Sequence, residues 1–178
     1  VGSMTVTNDR VRVLDFTQPY YYAPAQFAVR NDLRSDMQSA EALSGRTVCV
    51  AEATTYEQYL QGKLVLRGMS PVPQNVHINV VKTDAECIQA LQSGRKDIDA
   101  VLTSWNVIEN GMKQGAPIEP LGPPVYYEDL AIAIDKSAKP NSRFLAALEQ
   151  IIKDMQADGT LTSLSVKYFG FDLTKPAL

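Results

Sequence analysis

The middle of the chain alternates between β-strand and α-helix patterns. Short apolar, β-branched runs at residues 47–51, 76–81 and 98–102 predict strands. Helix starts are expected at Thr54 or Thr55, each with Glu or Gln three residues later, and again at Thr83. Strand–helix–strand repetition with short connections implies parallel pairing and right-handed crossovers. The sequence therefore predicts an α/β fold.

The C-terminal part has a different pattern. Residues 130–134 predict a strand, and Pro140-Asn141 introduces a long amphipathic helix. Its apolar stripe, which we expect to pack in the core, is Phe144, Leu145, Leu148, Ile151, Ile152 and Met155. A second, shorter helix is expected to end at Gly170, and the proline-containing segments 68–74 and 122–124 are predicted to interrupt regular structure.

Composition excludes some classes of function. A length of 178 residues suits one domain or two small lobes. The net charge of −3, without clustered Lys or Arg, argues against nucleic-acid binding. No stretch is long and apolar enough for a membrane-spanning helix. The chain does not begin with a basic segment and an apolar run, so no signal peptide is expected in it; this does not exclude export, since mature chains have lost theirs.

The two cysteines, Cys49 and Cys87, allow two interpretations: buried thiols, or one disulfide between a strand and the helix after the next strand. We favour the disulfide, which indicates an oxidising compartment. His77 is the only histidine, and its spacing from the cysteines matches no zinc pattern. We expect it to face solvent from a strand, and we predict no metal or cofactor.

Two segments have the chemistry to bind a carboxylate. Residues 3–10 read Ser-Met-Thr-Val-Thr-Asn-Asp-Arg, in which Arg10 can form two parallel hydrogen bonds to a carboxylate beside the Thr5 hydroxyl. The alternative is an exposed arginine paired with Asp9 or Asp15, which is common on surfaces. The second segment is Thr54-Thr55, at a helix start where free N–H groups favour an anion. The same residue types also serve as ordinary helix caps.

The order of these motifs resembles that of the amino-acid-binding members of the bacterial periplasmic solute-binding proteins, the receptors of ABC importers. Those proteins carry Ser-hydrophobe-Ser/Thr-hydrophobe-Thr-x-x-Arg followed by Phe-Ser/Thr-x-Pro-Tyr, and residues 3–10 and 16–20 match both. Further similar runs lie at residues 45–50, 90–101, 157–161 and 167–170. The resemblance thus extends over nearly the whole chain.

This resemblance implies a two-lobed, type 2 periplasmic-binding fold. Residues 1–30 and 129–178 would form lobe one, and residues 31–128 lobe two. The opening strand–helix–strand portion of lobe one has no counterpart in this chain. We therefore expect a further segment of the natural protein, or another chain, to complete lobe one.

The resemblance also implies a set of ligand-binding residues. Ser3, Thr5 and Arg10 would bind a carboxylate from lobe one, and Thr54 and Thr55 from lobe two. Ser104 stands where the family usually has an aspartate that pairs with the ligand's α-ammonium. A neutral serine leaves that charge unmatched, so either another carboxylate, for which Glu52 is a candidate, takes over or the ligand is not an ordinary α-amino acid. Ala53 stands where glycine is usual.

The function implied is that of a receptor that captures an amino acid or related small carboxylate between two lobes and presents it to an ABC-transporter permease. Such a protein is made with a signal peptide and is periplasmic or extracellular, a location compatible with a lipid anchor. Two alternatives stay open: an enzyme on the same fold, similar to cyclohexadienyl dehydratases, and the ligand-sensing domain of a membrane receptor.

Overall fold

A computed structural model describes residues 2–137 and 142–176, and these divide into two compact units. Unit 1 is Val1–Ala23 together with Tyr127–Leu178, and unit 2 is the continuous segment Pro24–Tyr126. The lobe boundaries expected from the sequence, at residues 30 and 129, stay a prediction. The predicted helix start at Pro140-Asn141 lies outside the described residues.

The strands are β1 (Ser3–Thr5), β2 (Leu14–Phe16), β3 (Tyr21–Arg30), β4 (Thr47–Ala51), β5 (His77–Val81), β6 (Ala100–Ser104) and β7 (Ile118–Asp135). The helices are α1 (Thr55–Leu60), α2 (Asp84–Gln92), α3 (Trp105–Lys113), α4 (Ser142–Ala157) and α5 (Thr160–Phe169). All described helices are too short or too polar to cross a bilayer.

Unit 2 is built on the predicted parallel strands. β4 pairs in parallel with β5 on one side and with β6 on the other, and β3 pairs antiparallel with β6. One face of these strands packs a core around Phe27, Leu102 and Tyr59, all fully buried. The strand and parallel-pairing predictions for this segment are therefore confirmed. His77 is exposed on β5, as predicted.

Local side-chain chemistry fixes the helix starts. The Thr54 hydroxyl accepts a hydrogen bond from the Glu57 N–H at 3.2 Å, and the Thr83 hydroxyl accepts one from the Glu86 N–H at 3.3 Å. Each bond satisfies one of the N–H groups that a helix start leaves without an intrahelical acceptor. Of the two predicted starts for α1, the structure therefore selects Thr54 as the cap.

Cys49 and Cys87 form a disulfide that joins β4 to α2. Their Cα atoms lie 5.7 Å apart, and both residues are fully buried in a second apolar cluster on the other face of the strands. The bridge closes a segment with a sequence separation of 38 residues. Of the two interpretations of the cysteines, the disulfide is confirmed.

Unit 1 has an antiparallel arrangement in which β1 and β2 both pair with the C-terminal part of β7. α4 and α5 pack against each other. The prediction that the whole apolar stripe of α4 lies in the core was wrong: Ile152 is buried, whereas Phe144 and Ile151 are 57% and 52% exposed. Helical spacing shows which face of a helix is apolar, but it does not show what covers that face.

The predicted interruption at residues 122–124 was also wrong, because β7 continues through it. Gly122 has φ of +65°, the left-handed conformation that glycine tolerates within an irregular strand. Its carbonyl accepts a hydrogen bond from the side-chain amide of Gln26 at 2.6 Å. Pro123 and Pro124, which follow, have no N–H group to donate to a neighbouring strand. At this point of β7 the Gln26 side chain supplies an N–H donor for the Gly122 carbonyl.

Candidate functional site

Arg10 is held close to Thr5 within unit 1. A short 3-10 turn follows β1, and the Arg10 Nη1 group donates to the Thr5 carbonyl oxygen at 3.1 Å. The Arg10 backbone N–H donates to the Thr7 hydroxyl at 3.3 Å. The first bond anchors the guanidinium of the half-buried Arg10 beside the end of β1, and the second anchors its backbone.

The acidic residues proposed as alternative partners of Arg10 lie beside other cations. Asp9 is 3.7 Å from Arg12, with both side chains more than three-quarters exposed. Asp15 is 3.7 Å from Lys136. Both carboxylates therefore have a surface partner of their own.

Thr5 also contacts a buried carboxylate that sequence reasoning did not identify. The Thr5 hydroxyl donates to Glu128 Oε1 at 2.6 Å, and the two residues are each 4% exposed. Glu128 lies 123 positions away along the chain, on β7. The only sequence signal for it is an acidic residue just before the strand predicted at residues 130–134.

Ser3 joins a group of phenols next to this pair. The Ser3 hydroxyl lies 2.5 Å from the Tyr20 hydroxyl, and the rings of Tyr20 and Tyr21 are 5.1 Å apart. Burial raises the pKa of Tyr21, and the nearby Glu128 charge raises it further, while a hydrogen bond from Ser3 lowers it. A cavity of about 280 Å³ opens beside these residues and extends to Leu164 and Phe169 on α5.

Thr54 and Thr55 lie together at the start of α1 in unit 2. The Thr54 hydroxyl, besides accepting from Glu57, donates to the Ala51 carbonyl at 2.6 Å. Thr55 is only 2% exposed. The Glu57 carboxylate accepts from the Ala53 N–H at 2.8 Å, so an acidic side chain already holds one N–H beside this helix start.

Ala53 has φ of +57°, in the left-handed region. A side chain with a Cβ atom is disfavoured there, whereas glycine is not. The backbone at this point therefore has the shape that glycine would adopt without strain. This conformation is a physical reason for glycine to be usual at the position, and nothing in the structure explains the alanine.

Ser104 is the last residue of β6 and the N-cap of α3. It is 9% exposed, and its side chain makes no capping hydrogen bond. Glu52, considered as a substitute carboxylate, is exposed in the turn after β4. Among residues 2–137 and 142–176, no group of three or more His, Cys, Asp or Glu side chains could hold a metal ion.

The structure thus places Arg10 against Thr5 within unit 1, with Ser3 two residues away on β1 beside Tyr20, and places Thr54 next to Thr55 at the start of α1 in unit 2. The profile of the bacterial extracellular solute-binding proteins, family 3, matches residues 1–171. The chain belongs to this family. Family 3 membership confirms the expectation drawn from the motifs.

Two curated relatives of this chain are amino-acid-binding proteins by name. The chain is 28% identical to the probable amino-acid-binding protein YxeM of Bacillus subtilis (strain 168) over 97% of this chain and 62% of YxeM. It is also 28% identical to the L-cystine-binding protein TcyJ of Escherichia coli (strain K12), over 98% of this chain and 61% of TcyJ. The chain therefore spans about three-fifths of the length of these curated relatives.

Solved structures of the same architecture support the fold prediction. An ancestral arginine-binding protein bound to arginine matches with a TM-score of 0.77 and 30% identity, over 94% of this chain and 69% of that one. The ancestral amino-acid-binding protein AncCDT-1, a precursor of cyclohexadienyl dehydratase, matches with a TM-score of 0.77 and 28% identity, over 93% and 66%. The type 2 periplasmic-binding fold is thereby confirmed for this family 3 member.

Proposed function

We propose that this chain is the larger part of a solute-binding receptor that captures an amino acid for an ABC importer. The observation that carries the proposal is the placement of Arg10 against Thr5 in a member of family 3. Relatives named for binding L-cystine, L-arginine or histidine make an amino acid the first ligand class to test. The receptor acts in the periplasm or outside the cell and presents its ligand to a permease.

In this proposal Arg10 binds the ligand's carboxylate. A guanidinium has five N–H donors in a planar fork, and the Thr5 carbonyl oxygen engages Nη1. That anchoring bond fixes the fork before the ligand arrives, so less side-chain entropy is lost on binding. Partial burial also weakens the competition from water for the ion pair.

Thr54 and Thr55 belong to this proposal only through the family resemblance. Thr54 is the N-cap of α1 and Thr55 its first residue. The Glu57 carboxylate near this turn opposes a second anion electrostatically. Recognition of the ligand's carboxylate therefore depends mainly on Arg10 for its charge.

The proposed activity is binding without turnover. Release to the permease requires the ligand to leave unchanged, and the proposed contacts are hydrogen bonds and ion pairs that break without chemistry. The permease partner, the exported location and any lipid anchor are parts of this proposal. A chromatographic assay that recovers intact ligand from the complex checks the absence of turnover.

We further propose that another segment of the receptor covers the apolar face of unit 1. Phe144 and Ile151 on α4 and Tyr168 on α5 are each more than half exposed. Exposed apolar groups of this size on neighbouring helices are typical of a surface that packs against other protein. The chain's coverage of three-fifths of its relatives is consistent with such a segment.

The variant Arg10→Ala tests the proposed function. Calorimetry and thermal shift would be run with L-arginine, L-cystine, L-histidine and L-glutamine on the protein and on the variant. Loss of a partly buried, hydrogen-bonded charge pair should weaken binding by roughly 30-fold or more. Arg12→Ala is the matched control, because Arg12 lies on the same turn with its side chain 77% exposed. Equal affinities of Arg10→Ala and the unmodified protein would remove Arg10 from the site.

A further inference from the structure

Helix α3 of unit 2 starts without a side-chain cap. It begins at Trp105, and its N-cap residue, Ser104, is the last residue of β6. The first N–H groups of a helix have no acceptor within the helix, and an N-cap side chain ordinarily accepts from one of them. The Ser104 side chain makes no such bond, and the first turn of α3 contains no acidic residue. An acceptor from outside the protein can therefore take the capping position.

Helices α1 and α2 of the same unit start with acceptors of their own. The Thr54 hydroxyl accepts from the Glu57 N–H in α1, and the Thr83 hydroxyl accepts from the Glu86 N–H in α2. The first turn of each of these helices also contains an acidic residue. Those carboxylates oppose an additional anion, whereas no acidic side chain in the first turn of α3 offsets the partial positive charge of its N-terminus.

Two hydroxyl groups beside the start of α3 lack hydrogen-bond partners. Ser104 is 9% exposed, and its hydroxyl bonds to no residue in the part of the chain that the structure describes. The hydroxyl of the fully buried Thr103 also has no partner among residues 2–137 and 142–176. Because Ser104 is the N-cap residue, its short side chain places the hydroxyl at the helix start. Native structures leave few buried hydroxyls unpaired, so the Ser104 hydroxyl is a donor to which a ligand group can bind.

The start of α3 lies at the same edge of the sheet as Thr54 and Thr55. Strands β4 and β6 are parallel neighbours, with Cys49 opposite Val101, and α1 follows β4 as α3 follows β6. Ligands of open α/β sheets bind in the crevice outside the carboxyl ends of the parallel strands. Glu52, in the turn after β4, is an acidic residue at this edge, but it is exposed, so water screens its charge.

We infer that the start of α3 and the Ser104 hydroxyl form a subsite for a second acidic group of the ligand; this inference rests on the proposed function. In that function Arg10 binds one carboxylate, and the Glu57 side chain near α1 disfavours another. The first turn of α3 and the Ser104 hydroxyl suit a second carboxylate, because both offer hydrogen-bond donors and neither brings a negative charge. The ligand is therefore an amino acid that carries a second carboxylate.

A purely structural explanation is that water caps α3 and that Ser104 only ends β6. The two explanations differ in what the variant Ser104→Asp does to ligand selectivity. Aspartate is a favoured N-cap residue, and it places a negative charge at the helix start. If a second carboxylate of the ligand binds there, the variant weakens acidic ligands far more than their amides. If Ser104 is only structural, the variant affects acids and amides alike.

The experiment compares acidic amino acids with their amides by calorimetry. The pairs are L-glutamate with L-glutamine and L-aspartate with L-asparagine, and L-arginine and L-histidine are titrated beside them. In the unmodified protein the acid of a binding pair should bind about fivefold or more tightly than its amide. In Ser104→Asp the affinity for that acid should fall by about tenfold or more, because like charges then face each other. Ser70→Asp is the matched control, since it adds the same charge at an exposed loop position of unit 2.

Each outcome bears on a specific statement. An amide that binds the unmodified protein as tightly as its acid overturns the inference without any variant, so the test does not depend on Ser104→Asp folding. An equal loss for acid and amide in Ser104→Asp also overturns it and leaves Ser104 as a structural residue. If L-arginine or L-histidine binds and neither acid does, the inference fails while the proposed function stands. If none of these amino acids binds, the proposed function fails as well.

Discussion

The disulfide between β4 and α2 offers a quantitative test of what stabilises unit 2. It closes a segment with a sequence separation of 38 residues. In the chain-entropy description, a loop of that length removes freedom from the unfolded chain equivalent to about 4 kcal/mol. Domains of this size are typically stable by roughly 5–15 kcal/mol, so the bridge accounts for a large share.

Two perturbations separate the cross-link from the packing of the sulfur atoms. Reduction of the unmodified protein breaks the bond but keeps both side chains, and should lower the free energy of unfolding by about 4 kcal/mol. The double variant Cys49→Ala, Cys87→Ala also removes two fully buried sulfur atoms. Its loss should exceed that of reduction by about 1–2 kcal/mol, since buried atoms are deleted from a packed cluster.

Urea denaturation followed by circular dichroism measures both losses. The urea dependence should become steeper in the reduced protein, because an unfolded chain without the cross-link exposes more surface. A mock-treated sample kept oxidised is the control. If reduction changes the free energy of unfolding by less than about 1 kcal/mol, the loop-closure reasoning is refuted.

Two further predictions concern a backbone conformation and an ion pair. Ala53→Gly should raise the free energy of unfolding by about 1 kcal/mol, because glycine adopts the left-handed conformation of this residue without strain. Ala147→Gly, at an exposed position within α4, is the control and should lower the free energy of unfolding by a similar amount. A lower free energy of unfolding for Ala53→Gly would contradict the strain at Ala53. Hydrogen bonds from Arg30 and Lys96 hold the pKa of Asp32 at about 2, below its ordinary 3.8. Because the folded pKa is lowered, the stabilisation is present above about pH 4 and is lost as the pH falls towards 2. An NMR titration of the Asp32 carboxyl checks this, and a midpoint near 3.8 would contradict it.

Local sequence patterns predicted unit 2 well. Residues 47–51 form β4 with the predicted bounds, and Thr83 caps α2 as its spacing to Glu86 indicates. These elements depend on residues within a few positions of one another. A short window of sequence is therefore enough to predict them.

The missed buried residue Glu128 and the wrongly predicted break at residues 122–124 both involve partners that are distant in the sequence. Glu128 is buried because β7 pairs with β1, and no local pattern reveals that pairing. β7 continues through Gly122, whose carbonyl accepts a hydrogen bond from Gln26, 96 positions away. The ligand site at Arg10 stays a prediction from the motif, whereas the hydrogen bond from Thr5 to Glu128 depends on three-dimensional geometry.

The discontinuous sequence of unit 1 has a consequence for synthesis. Leu130, the partner of Thr5, is added 125 positions after it, which at about 5–20 residues per second is roughly 6–25 s later. The continuous segment of unit 2 is complete by then. β1 can therefore pair with β7 only after the whole continuous segment of unit 2 has been made.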